Sequence, residues 1–333
     1  MTENRIKEIV AKYLPLENLK SLQISDNRII AEFEQISENK QISEKLKQEL
    51  ATLFPEKKVN LLFTQKISSN IGIKETEKWK IGGVKHIIGV ASGKGGVGKS
   101  TTAVNLALAL SDKGLKVALV DADIYGPSVP TMLGYEGMPM MSADGVHFSA
   151  FNNYGVESVS IGSLIDRDTP IIWRGVKACG AIEQLVTQTN WGEIDVMVID
   201  MPPGTGDIQI TLSQKINFSG MVIVSTPQDI ALIDAIKGIN MFKKTGIEIL
   251  GIVKNMSYFI CPHCGEKTNI FGHNGAKETA EKMGETFLGG IPLNMEIRET
   301  SDSGTPIVAA NPDGEQAASY EKIAEKIMLK LGV

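Results

Sequence analysis

The sequence predicts an α/β protein in which a mostly parallel sheet is covered by helices on both faces, preceded by a small α+β domain. From residue 86 onward, runs of Val and Ile alternate with helical patterns, as in parallel sheets with crossover helices. Residues 1–65 read as helix, two strands, helix and strand from switches in the apolar period. The polar residues 66–84 show no apolar face and are predicted to be a linker. Residues 85–333 then form the larger domain.

Composition limits the classes of function. The chain has 333 residues, a formal net charge of −5 and 42% hydrophobic residues, which is ordinary for a water-soluble globular protein. An acidic balance argues against a general binder of nucleic-acid backbones. The N-terminus lacks the apolar core of a signal peptide, and no apolar run approaches membrane-spanning length. We therefore expect a cytoplasmic protein with neither nucleic acid nor membrane as a partner.

The first strand of the larger domain leads into a phosphate-binding loop. Residues 93–101 read GKGGVGKST, directly after the apolar run IIGVA and directly before a helix. The glycines let backbone N–H groups point at phosphate oxygens, and the helix adds its positive N-terminal end. This pattern predicts a P-loop NTPase. The predicted phosphate-binding residues are Gly93, Lys94, Gly95, Gly96, Val97, Gly98, Lys99, Ser100 and Thr101.

Two lysines and a serine of this loop have distinct expected roles. Lys99 supplies a charge to the β and γ phosphates, and Ser100 offers its hydroxyl to Mg²⁺. Lys94 adds a second cation over the phosphates of its own or a neighbour's nucleotide, unless it is only a solvated side chain.

Acidic residues close two later strands. Asp121 and Asp123 lie at the tip of KVALVD, and Asp200 ends VMVID before the turn MPPGTGD. Open α/β sheets bind ligands at this edge. One of the first two carboxylates can serve the metal shell and the other the attacking water, while Asp200 holds Mg²⁺ through water. Each Asp taken singly could instead be an N-cap or turn residue.

Asn255 bears on the choice of nucleotide base. It ends the strand EILGIVK, and no Asp follows three residues later, so the N-K-x-D pattern of common guanine sites is missing. Adenine is therefore the expected base and ATP the expected nucleotide. Asn255 would offer its amide to the base edge, although an Asn at a strand end is also a frequent turn former.

Cys261 and Cys264 form a C-x-x-C pair, which brings two thiolates onto one metal ion or cluster. Zinc and [4Fe–4S] sites both need about four ligands, and the remaining candidates are Cys179 and His273. The sequence thus suggests that two chains share a cluster or ion across a two-fold axis. A structural zinc knuckle and a dithiol redox pair remain alternatives. His263 is expected to point away from the metal, and Cys179 to be a small buried side chain.

The motifs GKGGVGKST, DADIYGPS, IDMPPGTGD, VKNMS and CPHCG resemble, in this order, the Mrp/ApbC family of ATP-dependent iron–sulfur cluster carriers. The resemblance covers about Lys85 to Leu331, within the deviant-Walker-A class that includes ParA, MinD and nitrogenase iron protein. It implies a homodimer with two ATP, in which Lys94 reaches toward the partner's nucleotide. It implies that Asp123 orients the attacking water, that Asp121 belongs to the metal shell and that Asp200 holds the metal's water shell. It further implies that Asn255 contacts adenine. Cys261 and Cys264 of both chains would hold a labile [4Fe–4S] cluster.

The resemblance further implies a slow ATP hydrolase, with Lys94, Lys99 and Asp123 as its catalytic residues, that transfers the cluster to apoproteins. The alternative is a ParA- or MinD-like positioning ATPase with a structural zinc at the cysteines, whose amphipathic final helix either lies on a membrane or packs on the sheet. The N-terminal unit looks like the small domain of bacterial members, but it contains no cysteine.

Overall fold

The computed structural model describes residues 2–24, 28–35, 40–65, 77–142, 144–164, 175–261, 263–271 and 275–333. It divides into two compact units, Met1–Glu75 and Thr76–Val333. The domain boundaries drawn from the sequence stay predictions.

The smaller unit is an α+β arrangement of two helices and one sheet. Strand β2 lies in the middle of the sheet, antiparallel to β1 and parallel to β3. Its core is formed by apolar side chains such as Ile6, Phe33 and Leu46, all without exposed surface. The elements are α1 (Thr2–Tyr13), β1 (Leu19–Ile24), β2 (Arg28–Gln35), α2 (Lys40–Leu53) and β3 (Lys58–Gln65).

An eight-stranded sheet with the order β13-β10-β9-β4-β8-β5-β7-β6 organises the larger unit. All neighbouring strands are parallel except the edge pair β6 and β7. Strands β5, β9 and β10 are buried along their whole length, as expected for near-continuous runs of Val, Ile and Leu. The strands are β4 (Val84–Ala91), β5 (Val117–Asp121), β6 (Phe151–Asn153), β7 (Val156–Ser160), β8 (Ile194–Asp200), β9 (Gly220–Ser225), β10 (Ile249–Lys254) and β13 (Phe287–Gly290).

Helices cover both faces of this sheet, which confirms the predicted fold class. One core contains side chains of α3 and α11, and the other contains side chains of α5, α6, α7 and α8. The helices are α3 (Lys99–Asp112), α4 (Val129–Leu133), α5 (Gly175–Thr187), α6 (Asp207–Lys215), α7 (Asp229–Lys244), α8 (Gly275–Met283), α9 (Met295–Asp302), α10 (Ile307–Ala310) and α11 (Glu315–Leu331).

The final helix α11 packs into the core. Tyr320, Ile323 and Ile327 on its apolar face are buried in the same cluster as the side chains of α3. Of the two roles that the sequence allowed for this helix, the structure shows packing on the sheet. In the part of the chain that the structure describes, every helix falls short of the length and apolar character of a membrane span.

The cysteine pair lies in a small hairpin that the sequence did not predict. Strands β11 (Phe259–Ile260) and β12 (Lys267–Thr268) are antiparallel, with Phe259 opposite Thr268 and Ile260 opposite Lys267. Strands this short carry no detectable apolar period. Their existence depends on contacts with other segments.

Candidate functional site

The phosphate loop connects β4 to α3. Gly98 is the N-cap of α3 and adopts a left-handed φ of 80°, which favours glycine. Gly93 needs the absence of a side chain for a different reason, because a Cβ there would lie 2.2 Å from the Asp234 carbonyl carbon on α7. The loop after β8 is bound to the same segment, since Gly204 donates its N–H to the Ser92 carbonyl at 3.0 Å. Two loops that are far apart in the sequence are therefore hydrogen-bonded to each other.

Lys99 lies at the centre of the predicted nucleotide site. Its ammonium Nζ is 2.6 Å from Asp200 Oδ1, 3.2 Å from Asp123 Oδ2 and 3.1 Å from Ser100 Oγ. The lysine is only 6% exposed. Burial alone would lower the pKa of Lys99, but the charges of Asp200 and Asp123 outweigh it and the pKa is raised. The side chain is therefore held as a buried cation.

The residues beside Lys99 fit a magnesium ion. Asp200 has no exposed surface, and its Oδ2 is buried without a hydrogen bond of good geometry to the described residues. Burial raises the pKa of Asp200 despite the nearby Lys99. A fully buried carboxylate beside the Ser100 hydroxyl supplies the oxygen ligands that Mg²⁺ prefers. When bound, Mg²⁺ would neutralise phosphate charge here, with Ser100 and Asp200 as its predicted holders.

Asp121 and Asp123 make different contacts. Asp121 is fully buried and accepts hydrogen bonds from Asp123 N at 3.1 Å, Val129 N at 3.2 Å and Ser160 Oγ at 2.9 Å. Burial, and then repulsion from Asp200, raise the pKa of Asp121 to about 7. These contacts favour a structural role for Asp121, and its place in the metal shell stays a prediction.

Asp123 directs Oδ2 toward Lys99, while its Oδ1 accepts a hydrogen bond from Tyr125 N at 3.1 Å. Lys94 is half-buried, and its carbonyl accepts a hydrogen bond from Ser92 Oγ at 2.8 Å. Water orientation by Asp123 and the reach of Lys94 to a partner's nucleotide both stay predictions.

A cavity of about 460 Å³ adjoins the phosphate loop and has the size of a small-molecule site. Gly98, Thr101 and Asn255 line it. Sequence reasoning missed another part of the lining, which consists of Pro292–Asn294 and Arg298 of α9. Their position after the carboxyl end of β13 was the available signal, because that edge is where such sheets bind ligands.

Asn255 lies in the wall of this cavity and also contacts the phosphate loop. Its Nδ2 donates to the Val97 carbonyl at 2.8 Å, and its Oδ1 accepts from Met256 N at 2.9 Å. Because the amide nitrogen carries two hydrogens, one remains for another acceptor. The predicted contact of Asn255 with adenine stays a prediction that this placement supports.

Cys261 and Cys264 lie between the two strands of the hairpin. The turn is held by Cys261 N–H donating to the Glu266 carbonyl at 3.0 Å and by Gly265 N–H donating to the Cys261 carbonyl at 2.8 Å. Backbone N–H groups of His263 and Cys264 point at the Cys261 sulfur and, together with the Cys264 thiol, lower its pKa. The turn therefore favours a thiolate at Cys261, which is the form that binds metals.

The hairpin does not complete a metal site within the described residues, where no group of three or more His, Cys, Asp or Glu side chains could hold an ion. Cys179 is buried on α5, as predicted, and burial raises the pKa of its thiol. His263 is exposed, and His273 lies outside the described residues.

A parallel sheet with this phosphate loop and acidic strand tips defines a P-loop NTPase of the ParA and MinD type. The family model of ParA, described as the NUBPL iron-transfer P-loop NTPase, matches residues 83–328. The chain belongs to this family, and the resemblance inferred from its motifs is confirmed.

Curated relatives and solved structures agree with this assignment. The chain is 50% identical over 260 residues to the iron-sulfur cluster transfer protein NUBPL of Dictyostelium discoideum, covering 78% of this chain and 80% of the relative. It is 51% identical over 268 residues to the iron-sulfur cluster carrier protein of Escherichia coli K12, covering 80% and 73%. A nucleotide-binding protein from Archaeoglobus fulgidus in complex with ADP is 38% identical, with a TM-score of 0.59 over 66% of this chain and 87% of that one. The cell division ATPase MinD of Pyrococcus furiosus is 25% identical, with a TM-score of 0.56 over 73% and 98%.

Proposed function

We propose that this protein is an ATP-dependent carrier that holds a labile [4Fe–4S] cluster between two copies of the chain and passes it to apoproteins in the cytoplasm. Binding and slow hydrolysis of ATP act as the switch. Relatives that are 50% and 51% identical in sequence are named iron-sulfur cluster transfer and carrier proteins, which supports a carrier role. The proposed dimer, cluster type and switch rest on the residues of the two sites.

The cysteine hairpin is the observation that carries this proposal. Each chain offers Cys261 and Cys264, the first with a lowered pKa, and the described residues add no further ligand set. Two copies related by a two-fold axis would supply four thiolates to one cluster, which is the number that a [4Fe–4S] centre needs. Because Cys264 is exposed, the cargo would remain accessible to a client.

The nucleotide site supplies the switch. Lys99 and Ser100 would hold the phosphates and Mg²⁺, Asp200 would hold the metal through water, and Asp123 would orient the attacking water. Catalysis in such sites consists mainly of positioning and charge neutralisation. In this proposal Lys94 of one copy completes the nucleotide site of the other, and turnover stays slow until that contact forms.

Anaerobic reconstitution with iron and sulfide tests the proposal. We expect the wild type to take up one four-iron cluster per two chains, read from visible absorption and from iron and sulfide content. Cys261→Ala and Cys264→Ala should each abolish cluster retention and leave ADP binding intact. Cys179→Ala is the matched control, because this buried thiol lies on α5, and it should retain the cluster. Equal retention in all variants, or tightly bound zinc without a cluster, would contradict the proposal.

The alternative is a positioning ATPase of the kind that the MinD-like fold would allow. The burial of the apolar face of α11 removes the membrane-binding surface that the sequence left open. ATP-dependent sedimentation of the protein with liposomes or DNA would favour this alternative over the carrier.

A further inference from the structure

A short segment, residues 256–260, connects the wall of the nucleotide cavity to the first cysteine. The segment begins at Asn255, whose side chain bonds to the phosphate loop, and it ends at Cys261. The two predicted sites are thus neighbours along the chain.

Asn255 links the phosphate loop to the first residue of this segment. Its Nδ2 holds the Val97 carbonyl in the phosphate loop, while its Oδ1 accepts the N–H of Met256. The approach is close, because a Cβ added at Gly98 would lie 2.0 Å from Asn255 Nδ2. A displacement of Val97 or Gly98 would therefore change the contacts of this amide.

Met256 adopts a backbone conformation that is unusual for its residue type. Its φ is 53°, in the left-handed region that non-glycine residues rarely occupy. Such conformations persist when surrounding contacts hold them, and they mark places where a chain can switch. Here the holding contact is the hydrogen bond from Met256 N–H to the side chain of Asn255.

The rest of the segment is bonded to residues 291–293, of which Pro292 and Leu293 line the cavity. Ser257 donates both its N–H and its hydroxyl to the Ile291 carbonyl, at 2.8 and 2.9 Å. The Tyr258 carbonyl accepts the N–H of Leu293 at 2.7 Å, and Phe259 forms a parallel bridge with Leu293. Leu293 also lines the cavity. The hairpin that carries the cysteines is thus attached directly to residues that a nucleotide would contact.

We propose that Asn255 is a positioning residue that transmits the state of the phosphate loop to Cys261 and Cys264. A nucleotide that moves Val97, or engages the second amide hydrogen of Asn255, changes the support of Met256 and hence the exposure of the two thiols. The inference rests on the proposed function, in which both sites work together. A ligand shifts such an equilibrium only through contacts that differ between the two states, and Asn255 supplies one.

Thiol reactivity of the iron-free protein tests this coupling. Alkylation of Cys261 and Cys264 by iodoacetamide is followed by mass spectrometry, without nucleotide and with saturating Mg-ADP or a non-hydrolysable Mg-ATP analogue. We expect wild-type rates to differ by about fivefold or more between these states, the lower end of typical coupling. The buried Cys179 serves as the internal reference for unfolding.

Asn255→Ala should reduce the ratio of the rates with and without nucleotide to about one, even where the absolute rates change. A residue with a merely structural role would alter the absolute rates and leave this ratio unchanged. Asn152→Ala is the matched control, because Asn152 is exposed on the edge strand β6, and it should keep the wild-type ratio.

Ser257→Ala extends the test to a residue that does not line the cavity. It tests the proposal even if Asn255→Ala no longer binds nucleotide. It should reduce the ratio partly, because one of two bonds to Ile291 is lost. A full wild-type ratio in both variants, or equal wild-type rates in all nucleotide states, would overturn the coupling. Because the assay contains no iron, a failed cluster reconstitution with intact coupling would overturn the carrier proposal alone.

Discussion

The nucleotide site and the cysteine hairpin are assembled in opposite ways. Lys99, Asp123 and Asp200 come from three segments of one chain, are each at most 7% exposed, and meet at the edge of an eight-stranded sheet. The hairpin consists of two two-residue strands with an exposed Cys264 and one pair of thiols. The buried side chains of the first site thus find their partners within the chain, whereas the hairpin offers two thiols.

The ionisable groups of the two sites also differ in what shifts their pKa values. In the nucleotide site burial dominates, and it raises the pKa of both Asp121 and Asp200. In the hairpin, hydrogen bonds from backbone N–H groups dominate and lower the pKa of Cys261. Buried charges need partners inside the protein, whereas a surface thiolate can bind and release a ligand. This difference is consistent with the two proposed roles, a permanent nucleotide site and a labile site for the cluster.

Lys99→Met gives the largest expected effect. It disrupts the buried nucleotide site and leaves the cysteine hairpin unchanged. Nucleotide binding should fall below detection, because the cation for the phosphates is lost. The nucleotide-free protein should lose about 3–5 kcal/mol of unfolding free energy, since the two carboxylates lose their buried partner. Calorimetric titration with ADP and urea denaturation measure these effects.

The matched control is Lys113→Met, at an ion-paired lysine that contacts Glu321 and Glu325 on α11. It should bind ADP as the wild type does. Wild-type affinity in Lys99→Met, or an equal loss in Lys113→Met, would show that the buried cluster does not set nucleotide binding.

A pH series gives the next largest effect. A raised native pKa means that the contribution of Asp121 to stability is complete below pH 4, near its unfolded value, and is lost as the pH rises through about 7. The nucleotide-free protein should therefore lose stability between pH 5 and pH 7, by at most about 1.4 kcal/mol per pH unit from this group. Asp121→Asn should flatten this slope in urea denaturation.

Asp195→Asn controls for a general effect of removing a carboxylate. Hydrogen bonds from the Lys85 ammonium and the Lys116 N–H lower the pKa of Asp195 below its ordinary value, so it titrates below the tested range. Its slope between pH 5 and pH 7 should match that of the wild type. The explanation fails if Asp121→Asn retains the full slope.

The smallest expected effect concerns the attachment of the hairpin. Glu315 on α11 accepts hydrogen bonds from Lys267 Nζ at 2.6 Å and from Tyr258 OH at 3.1 Å. Glu315→Gln should change the unfolding free energy by only about 0.2–1 kcal/mol, because these groups are solvated. Amide hydrogen exchange in β11 and β12 should nevertheless become faster.

Glu325→Gln is the matched control, since Glu325 also lies on α11 but pairs with Lys113. It should leave exchange in the hairpin unchanged. If Glu315→Gln exchanges like the wild type, the contacts with Ile291 and Leu293 hold the hairpin without help from α11.

Much of the fold could be predicted because its signals are contiguous. Runs such as VMVID and MVIVS are buried strands, and GKGGVGKST follows β4 and continues into the first turn of α3. Backbone geometry and local apolar pattern act over a few residues, so a reader of the sequence sees them directly. The hairpin β11–β12 was missed because pairing with Leu293, and not a local pattern, supports it.

The sequence by itself determined the residue types that are predicted to hold phosphate, Mg²⁺ and a cluster, since each motif is a short run of the chain. Only the tertiary structure decided which of them meet: β4 lies between β8 and β9, which brings Asp200 to Lys99. Only it showed that Ser160 and Val129 bind Asp121, and that Asn255 holds Val97. These pairings join residues far apart in the chain, and their energy comes from burial and hydrogen bonds that exist only once the sheet is assembled.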